Sequence, residues 1–206
     1  GYHIDLFLSR NEADVQKAID SGKCAAALLY DPPMDYDPVE DQVRIAFDAD
    51  AVLFSDASEV VYRAEGLAGF HASEDKATDV PLPDGPHADF LRKLGVLKRA
   101  TDADQEYAPV RLAVVTARNA PAEKRVLLTL RAWGVYVDAA YFLGGWDKST
   151  VLRSFRPHVF FDDQDGHVRP AADIVPSARV PYATDSLLAE PALGEPMAAG
   201  SQIPLN

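Results

Sequence analysis

Ile45-Ala46-Phe47-Asp48-Ala49-Asp50-Ala51-Val52 is an apolar run interrupted by two aspartates one residue apart. Residues 43–47 read as a strand that ends on those acids. Two other segments share the design. Arg111-Leu112-Ala113-Val114-Val115-Thr116 is a buried strand closing on a hydroxyl, and Val159-Phe160-Phe161 runs into Asp162-Asp163. In a parallel sheet such strand ends share one edge, and open α/β sheets bind their ligands there.

The segments between these strands read as helices. Asn119-Ala120-Pro121 followed by Glu123 predicts a helix start, and Val126, Leu127, Leu130 and Trp133 fall at helical spacing as a core stripe before Gly134. Residues 141–143 read as a strand closed by Gly144-Gly145, and residues 148–155 as a short helix. Upstream, residues 4–8 form a strand, Ser9-Arg10-Asn11-Glu12 offers capping chemistry for a helix ending at Gly22, and residues 24–30 are a second apolar run. Asp31-Pro32-Pro33-Met34-Asp35-Tyr36-Asp37-Pro38 breaks helix and strand alike and reads as a surface linker. Strands alternating with helices over short loops predict an α/β fold with a doubly wound, mainly parallel sheet.

Residues 58–67 and 87–94 are helix-like pieces separated by Pro81, Pro83, Gly85 and Pro86, which suggests an inserted lid. The expected division is a core of residues 1–56 and 109–206 with a small, mainly helical cap insert at 57–108. One internal likeness stands out: Leu6-Phe7-Leu8-Ser9-Arg10-Asn11, with Val15, aligns with Val159-Phe160-Phe161-Asp162-Asp163-Gln164, with Val168. It is either a chance likeness of two strand ends or a repeat whose first copy lacks the acids.

Composition excludes several classes. The 206 residues are 48% apolar and 25% charged, an average globular mixture, and no apolar run reaches the roughly 18 residues that cross a bilayer. A net charge of −12, with only Arg92, Lys93, Lys98 and Arg99 loosely clustered, argues against a nucleic-acid polymer or an anionic membrane as partner. Cys24 is the one cysteine, which excludes an intrachain disulfide and fits a cytoplasmic location. The first strand begins almost at residue 1 with no secretory signal before it, which suggests a shortened or processed chain.

The strand ends gather Asp48, Asp50, Thr116, Asp162 and Asp163, and Lys148 opens the helix before the third of them. Singly, the aspartates read as turn or cap residues and Lys148 as a solvated lysine. Together, four carboxylates demand a cation, and an all-oxygen donor set suits Mg²⁺ better than zinc. His71, His87, His158 and His167 have no metal-ligand spacing and read as surface or lid residues. Gly22-Lys23-Cys24 lacks the rest of a P-loop, and no Gly-x-Ser-x-Gly elbow occurs.

Phe47-Asp48-Ala49-Asp50-Ala51-Val52, Val114-Val115-Thr116, Lys148 and Phe160-Phe161-Asp162-Asp163 resemble, in order, the four motifs of the haloacid dehalogenase (HAD) superfamily. The extended run to Leu53-Phe54-Ser55-Asp56, with Pro81-Leu82-Pro83-Asp84-Gly85-Pro86, Thr116-Ala117-Arg118-Asn119-Ala120-Pro121 and Leu130-Arg131-Ala132-Trp133-Gly134, resembles the cytosolic 5′-nucleotidase type I family over about residues 4–182. Ala49 replaces the glycine usual in that family, and the family's further N-terminal region is not present in this sequence.

The resemblance implies a HAD-like core and hydrolysis of nucleoside 5′-monophosphates with Mg²⁺ as cofactor. It implies that Asp48 is the nucleophile that forms an aspartyl-phosphate and that Asp50 is the general acid and base. Thr116 and Lys148 would bind phosphoryl oxygens. The metal would be held by Asp48, the Asp50 backbone carbonyl and Asp162, with Asp163 as a direct or outer partner. Arg118 is a candidate phosphate contact or a surface salt bridge. Phe54, Ser55 and Asp56 are candidates for reading the nucleoside, with Phe54 equally placed for core packing, and Tyr62, Phe70, His71 and Phe90 give the lid aromatic surface to stack a base. The rivals are another small phosphomonoester as substrate, or a catalytically idle HAD-like binding module. Oligomeric state is not readable.

Overall fold

A computed structural model describes residues 3–39, 41–102 and 108–189. Its strands are β1 (Leu6–Ser9), β2 (Ala25–Leu29), β3 (Val43–Phe47), β4 (Val110–Thr116), β5 (Ala139–Phe142), β6 (Val159–Asp162) and β7 (Ser177–Arg179), in one sheet of order β1-β2-β7-β6-β3-β4-β5. The five strands from β7 to β5 run parallel, and β3 lies at their centre with Phe47 opposite both Val114 and Phe161. β2 pairs antiparallel with β7 and β1 parallel with β2, so this outer pair is reversed. By this reversal the carboxyl end of β1 points away from that of β6, so Ser9-Arg10 lies at the opposite edge of the sheet from Asp162-Asp163.

Alternation along the central strands separates two cores. Phe47, Val114 and Phe161 face one side, where they meet Val15 and Ile19 of α1 (Glu12–Ser21), Leu91 of α3 (Ala88–Asp102), and Val126 and Leu130 of α4 (Glu123–Ala132). Ala46, Ala113, Val115 and Phe160 face the other, against Leu152 and Phe155 of α5 (Ser149–Phe155) and Ala171 of α6 (Asp165–Ala172). Helices thus cover both faces, the doubly wound arrangement expected. The seam of α4 is Val126 and Leu130, continued by its C-cap Trp133, whereas Leu127, one step of about 100° round the helix, is 36% exposed and is not core.

The expected cap insert divides in two. α2 (Ala57–Lys76) is interrupted at Gly66, whose φ of 70° and ψ of −169° suit glycine alone, and carries the residues that reach the strand ends. The following stretch instead joins the core: Leu82 and Leu91 pack with Phe47, Val52 and Leu53, and His87, read from sequence as surface or lid, is fully buried. The rest of the expected insert at 103–107, and the ends of the expected core at 1–2 and 190–206, lie outside the described residues.

Candidate active site

β3 ends where the Asp48 N–H donates to the Phe161 carbonyl at 2.7 Å, which ties the tip of β3 to that of β6. The chain then makes a wide turn over Ala49–Leu53, with the Phe54 N–H donating to the Ala49 carbonyl at 2.9 Å. Ala51 holds φ at 58°, the left-handed region that costs an alanine about 1 kcal/mol or more. The turn is braced from outside. Gly85 and His87 donate backbone bonds of 2.9 Å to Leu53 and Val52, and Ser55 donates one of 2.9 Å to Pro83. A Cβ on Gly85 would meet the Phe54 carbonyl oxygen at 2.3 Å, so the Pro81 to Pro86 segment approaches this closely only with glycine there.

The strand ends bring together Asp48, Thr116, Asp162 and Asp163, all buried, with Lys148 from the residue before α5. The Lys148 Nζ lies 2.7 Å from Asp162 Oδ2 and 3.1 Å from Asp48 Oδ1. Asp162 Oδ1 accepts the Gln164 N–H at 2.9 Å, so this carboxylate is fixed at both oxygens. Asp163 Oδ2 accepts the Tyr182 hydroxyl, and its buried Oδ1 accepts no hydrogen bond among the described residues. Thr116, 1% exposed, accepts the Arg118 N–H at 3.2 Å through Oγ1.

Oxygens of Asp48, Asp162 and Asp163 lie within 4.8 Å of one another. Burial and the neighbouring acids work against three negative charges in so small a volume. Burial raises the Asp48 carboxyl to about 7 despite Lys148, with Asp162 and Asp50 adding to the rise. Burial, then Asp48 and Asp162, push Asp163 well above the carboxylate range. For Asp162 burial pushes upward too, but Lys148 and His167 outweigh it and hold the group low. An orphaned buried carboxylate oxygen and three hard oxygen donors fit a divalent cation, which would satisfy the former and neutralise the latter.

Arg118 takes neither role expected of it. Its guanidinium is buried and forks onto Asp50, with Nε and Nη2 donating to the two carboxylate oxygens at 2.7 Å each. It also donates to Glu74 Oε2 at 2.5 Å and to the Ser58 hydroxyl at 2.8 Å, both on α2, and to the Ala122 carbonyl at 3.4 Å. It is neither a surface bridge nor a group free to hold phosphate. Phe54 is also corrected: its ring is wholly buried against Trp133, 5.4 Å between centroids, and offers no face to a base. Ser55 and Asp56 remain partly exposed at the end of the turn, where Asp56 accepts the Ser186 hydroxyl.

Sequence reasoning missed Glu74, Ser58, Arg125, Tyr182 and the place of His167, whose Nδ1 is 3.4 Å from Asp162 Oδ2. None of them lies in a motif strand. Only Tyr182, a few residues past β7, carried a signal, since a residue following a strand of this sheet falls on the same edge.

A family profile described as 5′-nucleotidase matches residues 1–186. The chain is 41% identical to human cytosolic 5′-nucleotidase 1B over 173 residues, which amount to 82% of this chain and 28% of that relative. It therefore spans little more than a quarter of the length of that curated relative. No solved structure matches. With the family match running from the first strand past every strand end that holds an acid, the chain belongs to the 5′-nucleotidase family.

Proposed function

We propose that the chain hydrolyses nucleoside 5′-monophosphates to nucleoside and phosphate through an aspartyl-phosphate on Asp48. The observation that carries this reading is the buried group of Asp48, Lys148, Asp162 and Asp163 at the strand ends. An Asp48 oxygen attacks phosphorus as the bond to the ribose O5′ breaks, and Asp50 gives its proton to that oxygen. Water then attacks the phosphorus, Asp50 takes its proton, and the Asp48 carboxylate is released with phosphate. Thr116 and Lys148 hold the nonbridging oxygens. Asp48, the Asp50 backbone carbonyl and Asp162, with Asp163 beside them, would hold Mg²⁺, which supplies positive charge to the phosphoryl group.

Local charge has to overcome a net charge of −12, which repels a dianionic ester. Lys148 supplies part of it: burial disfavours its charge, but Asp48 and Asp162 more than compensate and keep it protonated. The same acidic surface supports a small-molecule substrate over a nucleic-acid polymer, and among the described residues no helix is long and apolar enough to cross a membrane. A cytosolic location is supported by the relative's name and the single free Cys24.

The test is phosphate release from a panel of nucleoside 5′-monophosphates with and without Mg²⁺. Metal-dependent release is expected. No release from any nucleotide in the presence of Mg²⁺ overturns the reading.

A further inference from the structure

Asp50 lies on the wide turn and its side chain is 20% exposed, yet its direction is set from behind. Both of its oxygens receive bonds from Arg118, and a fork of this kind fixes the rotation of a carboxylate as well as its place. Two of the four lone-pair positions remain for the transferred proton. Arg118 is in turn held by α2, through Glu74 and Ser58, and its guanidinium lies 5.3 Å from the Phe70 ring of the same helix.

Glu74 is the hub of this chain of contacts. It is 3% exposed, and its second oxygen accepts Arg125 Nη1 of α4 at 2.7 Å and the Ser58 hydroxyl at 3.2 Å. A buried carboxylate between two arginines is costly to assemble and rigid once formed. Glu74 is 24 positions along the sequence from Asp50, on a helix that contributes none of the motif residues.

We infer that Glu74 is a positioning residue for the reaction: acting through Arg118, it aims the Asp50 carboxylate and so couples the placement of α2 to proton transfer at the leaving oxygen. The inference rests on the phosphatase reading above. It has a chemical signature, because a nucleoside leaves as an alkoxide that needs the Asp50 proton, whereas 4-nitrophenol leaves as a stable phenolate that does not. Misdirection of Asp50 therefore slows phosphoryl transfer from the first ester and spares that from the second, while the later attack of water, for which Asp50 is the base, is common to both and does not enter kcat/KM. General damage to the site slows both.

The experiment compares Glu74→Gln with the parent on AMP and on 4-nitrophenyl phosphate at saturating Mg²⁺. The expected result is a fall in kcat/KM of about 10- to 100-fold for AMP, within the range that acid catalysis supplies, and of less than about threefold for the aryl ester. Glu74→Asp, which keeps the charge, should recover part of the AMP rate. If Glu74→Gln alone does not fold, the charge-balanced pair Glu74→Gln with Arg125→Gln is read the same way. Equal losses on the two esters, or no loss on AMP, overturn the inference. A parent protein that cleaves neither ester overturns the phosphatase reading and the inference with it.

Discussion

The ammonium of Lys148 stands 3.1 Å from the Asp48 carboxylate, with both side chains buried. Burial strengthens their attraction but removes water from both, so the pair contributes little net stability in isolation. Its consequence is electrostatic. Lys148 is shared with Asp162 at 2.7 Å, and one cation does not offset Asp48, Asp162 and Asp163. The site is left short of positive charge, which a divalent cation would supply.

Asp48→Asn keeps the size of the side chain and removes the attacking charge. The expected outcome is loss of turnover by at least about 10³-fold with the fold retained, read by phosphate release and circular dichroism. Hydrolysis near the parent rate would exclude the aspartyl-phosphate.

Lys148→Met preserves length and leaves the three buried acids without their ammonium. Removing one partner of a buried ion pair costs about 3–5 kcal/mol, which chemical unfolding without metal should register. An unchanged midpoint would mean that the acids are already protonated in the folded chain.

Cation binding should stabilise the parent by mass action. At about 100 times Kd the gain is about 2.7 kcal/mol, and each kcal/mol raises the melting temperature of a domain this size by about 2–4 °C. Asp162→Asn should abolish most of the increment, since that oxygen pair is the best-anchored donor. The same rise in Asp162→Asn as in the parent would move the cation elsewhere, and full activity in excess chelator would exclude it.

His87 gives a pH test away from the metal ligands. It is enclosed by Phe47, Phe90 and Phe161, neither ring nitrogen has a partner among the described residues, and burial drives its pKa from 6.5 down to about 3. The unfolded chain thus binds a proton that the folded one refuses between about pH 6.5 and 3, and stability is lost as pH falls through that window, by up to about 1.4 kcal/mol per unit. Asp48, raised to about 7, works in the opposite sense, because the folded chain then takes up the proton first. The difference between parent and His87→Phe isolates the histidine: the variant should lose less stability between pH 7 and 5. Equal losses would mean that the ring is not held neutral.

The strand ends were legible because the information is local and repeated: an apolar run that closes on Asp48, Thr116 or Asp162 states both its burial and its edge. Lys148 was legible through its order among the motifs. Glu74 was not, since a glutamate on a helix reads as solvated until its fold brings Arg118 and Arg125 against it from β4's loop and α4. Phe54 and His87 were misjudged or left open because a side chain beside a motif carries no mark of which way it faces. The reversed pairing of β1 and β2 was invisible, as strand direction at a sheet edge is set by the connection and not by the strand's own residues.

Substrate choice is the last matter the structure reshapes. Phe54→Ala should now cost about 3–5 kcal/mol of stability by emptying the core beside Trp133, with no selective loss on nucleotides. Phe90 packs against Phe47 and is likewise committed. On α2, Tyr62 is 47% exposed and meets Phe70 edge to face at 6.4 Å, and Phe70 backs Arg118, so this tyrosine is an exposed aromatic on the helix that holds Arg118 against Asp50. A base stacked there would add binding energy that a sugar phosphate of the same charge lacks, and part of it should appear in turnover. Tyr62→Ala is therefore expected to lower kcat/KM for AMP by about 5- to 20-fold, the worth of one aromatic contact, while ribose 5-phosphate hydrolysis stays within about twofold. A parent that cleaves AMP and ribose 5-phosphate at equal rates would leave a phosphatase without base recognition. A Tyr62→Ala variant with unchanged preference would assign the base to another surface.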